Sequence, residues 1–125
     1  MKYIIASHGK MAWGMKKTIE MLIGEREDLF ALTAYVESQD FLVEVKTLLK
    51  KFAKDELIYI FTDILGGSVS QTIAMILSEY NIQLISGVNL PLVLQIILRD
   101  ESLSDEEIDK LVEQARQQII HVNKI

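Results

Sequence analysis

Hydrophobic residues along this chain fall into two alternating rhythms. Short, nearly unbroken apolar runs at residues 3–7, 29–35, 57–62 and 82–88 are rich in Ile, Val, Phe and Tyr, the composition that strands favour. Between these runs, apolar positions return every three or four residues, as they do along one face of a helix. Strands alternating with helices predict βαβ units around a parallel sheet. The near-continuous apolarity of Ile4-Ile5-Ala6 and Ile58-Tyr59-Ile60-Phe61 predicts strands covered on both faces.

The helical intervals can be placed by face and by punctuation. Ala12, Met15, Ile19, Leu22 and Ile23 share one face of a helix predicted over residues 12–23, which Gly24 stops. Met11, Met15 and Met21 read as core packing rather than a cofactor box. A second helix turns Phe41, Val45, Leu48, Leu49 and Phe52 inward, with Ser38 as its cap and Lys46, Lys50, Lys51 and Lys54 on a solvated face. A third follows Gly66-Gly67-Ser68 and carries Val69, Ile73, Ile76, Leu77 and Tyr80 until Asn81 ends it. Asn89 caps a fourth helix that holds Pro91 in its first turn and ends near Arg99. The fifth is the best signalled. Ser104 and Glu107 form a capping box, Leu103 and Ile108 a hydrophobic staple, and Ile108, Leu111, Val112, Ala115 and Ile119 an apolar face. Residues 119–125 read as a candidate final edge strand.

Composition narrows the class. A chain of 125 residues fits one domain spanning residues 1–125, and no repeat or Pro/Gly-rich linker divides it. It has no run approaching the ~18 consecutive apolar residues of a transmembrane helix. Cysteine is absent, which excludes disulfides, a thiolate nucleophile and Cys-ligated metal. The first residues resemble a core strand rather than a secretion signal, so a cytoplasmic location is expected. A net charge of −5 opposes the electrostatic attraction on which nucleic-acid binding depends, so no nucleic-acid partner is expected.

Topology then draws the chemistry together. Right-handed crossovers with helices on both faces give a doubly wound α/β sheet of order 2-1-3-4, whose crevice opens at the carboxyl ends of strands one and three. Strand one ends at Ser7-His8-Gly9 and strand three at Thr62-Asp63, so His8 and Asp63 meet there. A carboxylate hydrogen-bonded to one imidazole nitrogen fixes the tautomer and leaves the other nitrogen free to attack. Taken singly, each residue has a plainer reading: His8 as an incidental loop histidine, Asp63 as a turn or N-cap aspartate before two glycines. Gly66, Gly67 and Ser68 open a helix whose free N–H groups face the same crevice and favour an anion such as a phosphoryl group. Gly-Gly-Ser is not a P-loop, because Gly-Lys-Ser/Thr is missing. The helix after Gly9 offers a second N-terminus beside His8. Trp13 fits either an exposed rim contact for a partner or ordinary core packing. His121, the other histidine, lies near the C-terminus in no ligand pattern, and neither a metal nor a cofactor is expected.

Three stretches, Ser7-His8-Gly9-Lys10-Met11-Ala12-Trp13-Gly14, Thr62-Asp63-Ile64-Leu65-Gly66-Gly67-Ser68 and Gly87-Val88-Asn89-Leu90-Pro91, together resemble the mannose-family enzyme IIA proteins of the bacterial sugar phosphotransferase system. The resemblance covers essentially the whole chain. It implies a phosphocarrier whose histidine accepts a phosphoryl group from phosphorylated HPr and passes it to a IIB domain serving a IIC/IID membrane permease. His8 matches the phosphorylated histidine and Asp63 the supporting aspartate. Gly9, Gly67 and Ser68 fall where the phosphoryl group would be held. The family's usual Pro and Asn after Gly-Gly-Ser are replaced here by Val69 and Ser70. The resemblance further implies a homodimer and an antiparallel edge strand from the C-terminal segment. Phosphoryl transfer needs an in-line nucleophile and neutralisation of spreading charge, which the site offers.

Rival readings differ at the first strand end. The phosphotransferase subunit of the dihydroxyacetone kinase that uses phosphoenolpyruvate has a similar histidine domain, but tends to carry Ser-His-Ser where this chain has Ser7-His8-Gly9. Histidine phosphatases place an arginine where Ser7 stands. Receiver modules need acidic residues there to hold magnesium. A serine hydrolase would want Gly-x-Ser-x-Gly, which Gly66-Gly67-Ser68-Val69-Ser70 misses. A non-catalytic binding module remains if His8 is inert.

Overall fold

A computed structural model describes residues 1–125. The chain divides into two compact units, Met1–Val88 and Asn89–Ile125. The first holds β1 (Lys2–His8), α1 (Met11–Ile23), β2 (Leu29–Ala34), α2 (Phe41–Leu49), β3 (Ile58–Thr62), α3 (Ser68–Ala74) and β4 (Ile82–Ser86). The strands form one all-parallel sheet of order β2-β1-β3-β4, as the alternation predicts.

Register assigns the faces. Tyr3 pairs with Tyr59 and Ile4 with Ile60, so their side chains alternate in step. Ile4, Ala6, Ile58 and Ile60 join Phe41, Val45 and Leu49 of α2 and Val69 and Ile73 of α3 in one core cluster. Tyr3 and Tyr59 stack on the opposite side at a centroid distance of 5.6 Å, and α1 packs along β1 and β2. The reversal of winding at β1 puts α1 on one face and α2 and α3 on the other. Tyr3, Tyr59 and Phe61 are fully buried, and burying each such side chain contributes about 1.5–3 kcal/mol.

Several local expectations shift. β1 runs one residue past its predicted apolar run at each end, so that His8 is its last paired residue, opposite Ala34. The cap of α2 is Asp40, whose carboxylate accepts from Val43 N–H at 3.3 Å, while Ser38 Oγ accepts from Asp40 N–H one turn earlier. Asp40 wins because it directly precedes the first helical residue. The third helix ends at Ala74, not Asn81. The chain tightens there into a 3₁₀ turn, Leu77–Glu79, which keeps Ile76 buried and leaves Leu77 outside. Met11, Met21 and Leu22 are exposed rather than packed, because the buried stripe of α1 is only Ala12 and Ile19 wide.

The second unit holds α4 (Leu90–Arg99) and α5 (Asp105–Arg116). Asn89 caps α4 by accepting from Leu92 N–H at 3.0 Å, and its Nδ2 donates to the Ala115 carbonyl at 2.7 Å, tying the start of α4 to the end of α5. The capping box of Ser104 and Glu107 forms with both bonds present. The expected C-terminal edge strand does not form. Residues after Arg116 bond locally instead, Gln118 N–H to Ala115 and Ile119 N–H to Arg116, and a 3₁₀ turn, Val122–Lys124, closes the chain. A strand needs a neighbouring edge for its N–H and C=O groups, and local turns satisfy several of them here. Ile119, Ile120, Val122 and Ile125 are left exposed. No helix is long and apolar enough to cross a membrane.

Candidate functional site

The carboxyl ends of β1, β2 and β3 lie side by side, and the site is built on them. β1 delivers His8. Gly9 then turns the chain toward α1 at φ +60°, a conformation that glycine adopts without strain, and its N–H donates to the Ala34 carbonyl at 2.9 Å. Ser7, almost fully buried, closes the turn. Its Oγ accepts from Ala12 N–H at 2.7 Å and donates to the Gly9 carbonyl at 3.2 Å. Ser7, which the sequence offers as part of the Ser7-His8-Gly9 stretch and against the phosphatase and receiver readings, also shapes the loop behind the histidine.

Asp63 follows β3 directly. Its Oδ2 accepts from the His8 backbone N–H at 2.8 Å and lies 2.9 Å from His8 Nδ1, and its Oδ1 accepts from Ile64 N–H at 2.9 Å. Burial by itself raises the Asp63 pKa. The His8 backbone and ring hydrogen bonds, the charge of the ring when protonated and the Ile64 N–H outweigh that burial and hold the carboxyl below its ordinary value. An ionised carboxylate only accepts hydrogen bonds, so Nδ1 carries the proton and Nε2 of the neutral ring is the bare nitrogen. The Asp63 side chain is 8% exposed and that of His8 is 40% exposed, so the orienting group is covered while the imidazole is reachable.

Ser68, the first residue of α3, places Oγ 3.1 Å from Nε2. Tyr35, one residue past β2, places its hydroxyl 2.7 Å from the same Ser68 Oγ and its ring 5.8 Å from the imidazole. The structure therefore brings together His8, Asp63 and Ser68 as the sequence predicts, and adds Tyr35, which the sequence reading passed over. Strand order sets the carboxyl end of β2 beside the crevice, but nothing in the sequence aims the Tyr35 hydroxyl at Ser68.

Gly67 is pressed against the histidine. A Cβ built on it would stand 3.3 Å from His8 Cε1 and 3.3 Å from the Ile64 carbonyl oxygen, tighter than ordinary contact. As the N-cap of α3 it has no side chain to accept the first-turn N–H groups. That end is a favourable setting for an anion, although with seven residues α3 contributes only a local dipole. At the start of α1, Ser7 already occupies the Ala12 N–H. Next to Gly67, the hydroxyls of Thr62, Ser70 and Ser86 form a part-buried cluster centred on Ser86, joining the ends of β3 and β4 to the first turn of α3. Just past the ends of β1 and β3, Met11, Trp13, Ile64 and Leu65 are exposed apolar residues, so the alternative of core packing for Trp13 falls away. His121 is exposed.

A family model described as the fructose IIA component of the phosphotransferase system matches residues 2–116. Among solved structures, the chain is similar to a Klebsiella pneumoniae protein provisionally assigned as a phosphoenolpyruvate-dependent sugar phosphotransferase system permease. The two are 33% identical with a TM-score of 0.87, over 98% of this chain and 90% of that one. It is similar to a phosphotransferase system EIIA component from Streptococcus agalactiae, 25% identical with a TM-score of 0.78, over 99% of this chain and 98% of that one. The mannose/sorbose-specific IIA subunit from Enterococcus faecalis shares the fold at 20% identity and a TM-score of 0.80, over 95% of this chain and 92% of that one.

Proposed function

The chain belongs to the mannose/fructose-type IIA family of the sugar phosphotransferase system, and from that premise we propose that it is a cytoplasmic phosphohistidine carrier which takes its phosphoryl group from HPr and gives it to a IIB domain. The observation that carries this reading is the placement of the His8 ring. Asp63 holds Nδ1 at 2.9 Å and leaves Nε2 with its lone pair in a reachable crevice.

In the first transfer, Nε2 attacks the phosphorus of phospho-HPr in line. The new N–P bond forms as the donor's P–N bond breaks, and the HPr nitrogen leaves with the electron pair. His8 keeps its Nδ1 proton throughout, and Asp63 offsets the positive charge that the phosphorylated ring acquires. Ser68 Oγ, released from Nε2, donates to a phosphoryl oxygen, and the Gly67–Ser68 backbone faces the same anion. The second transfer reverses these bonds with a IIB nucleophile in the place of HPr. Met11, Trp13, Ile64 and Leu65, exposed apolar residues that follow the ends of β1 and β3, offer the surface on which both partners dock in turn.

Through IIB the carrier serves a IIC/IID permease. It works as a homodimer, a reading supported by the exposed Ile119, Ile120, Val122 and Ile125, which a second copy would cover. A monomeric mass in solution at micromolar concentration would count against that part.

The test is incubation with phosphoenolpyruvate, enzyme I and HPr, followed by intact mass and acid treatment, beside His8→Ala. One acid-labile phosphoryl group, absent from the variant, supports the carrier. An unlabelled wild-type chain beside labelled HPr sinks the reading and leaves a binding module.

A further inference from the structure

We infer that Tyr35 is a positioning residue of this site, acting on His8 through the Ser68 hydroxyl. This rests on the reading of His8 as the phosphoryl acceptor and names a further member of its machinery.

The count of protons fixes which way each hydrogen bond of the site runs. Ser68 Oγ lies between His8 Nε2 at 3.1 Å and Tyr35 Oη at 2.7 Å, and a serine hydroxyl has one proton. With Nδ1 protonated toward Asp63, Nε2 only accepts, so the Ser68 proton points to Nε2. Tyr35 must then donate to Ser68. The proton directions run Tyr35 to Ser68 to His8, and Asp63 at the far side of the ring sets the whole order. A hydroxyl that receives a hydrogen bond is polarised into a better donor.

When the phosphoryl group occupies Nε2, the Ser68 proton turns to a phosphoryl oxygen. The Tyr35 bond keeps that hydroxyl from swinging away and strengthens what it donates. Tyr35 keeps its own proton, and no bond to it is made or broken.

The backbone gives the second, independent observation. Tyr35 sits at φ +65°, in the left-handed region that aromatic residues seldom enter, immediately after β2 ends at Ala34. Strain of this kind persists where the surroundings over-determine it and collects at functional sites. The ring is held between His8, 5.8 Å away, and Phe41, 6.4 Å away, which aims the hydroxyl across the crevice.

The experiment is a double-mutant cycle on the full chain with Tyr35→Phe, Ser68→Ala and the pair, since Tyr35→Phe keeps the ring and removes only the hydroxyl. The readouts are the initial rate of phosphorylation from HPr at low and saturating donor, and the ¹⁵N shifts of the His8 ring. Tyr35→Phe is expected to slow phosphorylation at saturating donor about three- to ten-fold, the value of one net hydrogen bond, and to move the Nε2 resonance. In the Ser68→Ala background the same change should do neither. Equal losses in both backgrounds, or a Tyr35→Phe variant that matches the wild type, would overturn the inference while leaving the carrier intact. A wild-type chain that takes no label from labelled HPr removes the carrier reading and this inference with it.

Discussion

A single oxygen of Asp63 holds His8 at two points: Oδ2 accepts from the backbone N–H at 2.8 Å and faces ring Nδ1 at 2.9 Å. The end of β1 and the plane of the imidazole are thereby set by one group on β3's carboxyl end. A change at Asp63 acts on the tautomer and on the strand end together. Asp63→Asn removes the charge and offers an amide that donates as well as accepts, so Nδ1 is no longer assured of its proton. A hydrogen bond to a charged group is worth about 1.5–3 kcal/mol, which corresponds to a fall of about ten- to a hundred-fold in the rate of phosphorylation. Quenched-flow labelling from HPr measures it. A rate within two-fold or so of wild type would mean that ring orientation does not depend on this carboxylate.

Acid stability follows from the same carboxylate and four others. Asp63, Asp28, Glu20, Glu56 and Glu107 all have pKa values held below their ordinary ones. The causes are His8 and Ile64 hydrogen bonds overcoming burial for Asp63, Arg26 for Asp28, Lys16 for Glu20, the N-terminus and Lys2 for Glu56, and Ser104 for Glu107. A depressed folded-state pKa contributes stability above the unfolded value, about 4 for carboxylates, and that stability is lost as pH falls through the lower folded value. The contribution of these groups is therefore expected to be level from pH 7 to about 5 and to drop below about 4. Urea midpoints at pH 7, 5, 4 and 3 test this, and Asp63→Asn should shallow the acid limb. A chain as stable at pH 3 as at pH 7 would contradict it.

Gly67 is required by distance. Its added Cβ would meet His8 Cε1 at 3.3 Å and the Ile64 carbonyl at 3.3 Å, and a side-chain ring gives way more readily than backbone. Gly67→Ala is expected to displace the ring from its line with Ser68 and to slow labelling about ten-fold, with about 1 kcal/mol lost from stability. Comparing the labelling rate with the urea midpoint separates the two effects. Full activity with a large stability loss would show that the backbone moved instead.

The pairing of His8 with Asp63 is legible in the chain because strand order follows from handedness and alternation, and both residues sit at strand ends. Gly67 and Ser68 are legible for the same reason, since they open the helix after β3. Tyr35 is not, because a tyrosine letter carries no sign of a positive φ and its hydroxyl reaches Ser68 across 33 positions of sequence. Ser38 and Asp40 compete for one cap, and only the helix start decides between them. The exposed side of α1 misleads for a related reason: Met21 and Leu22 carry core-like side chains on a helix whose buried stripe is two residues wide. Residues 119–125 look strand-like by composition, yet local turns take up several of the N–H groups that a strand would pair with an edge.

The hydroxyl cluster behind the site gives an ordering of effects rather than one value. Ser86 Oγ receives the Thr62 hydroxyl at 2.7 Å and also bonds Ser70 Oγ, so it is the centre, with Thr62 and Ser70 on either side. Thr62 and Ser70 are both buried. Ser86→Ala strips both of this partner, and an unmet buried hydroxyl costs about 1–3 kcal/mol. Ser70→Ala removes one arm and leaves Thr62 and Ser86 bonded, so it should destabilise less. Because the cluster ties β4 to the first turn of α3, Ser86→Ala should also loosen Ser68 and shorten the lifetime of the phosphohistidine, whereas Ser70→Ala affects it less. Urea midpoints and the decay of the labelled chain check the ordering. Equal losses for the two variants would show that Thr62 and Ser70 find other partners and that Ser86 is not the centre of the cluster.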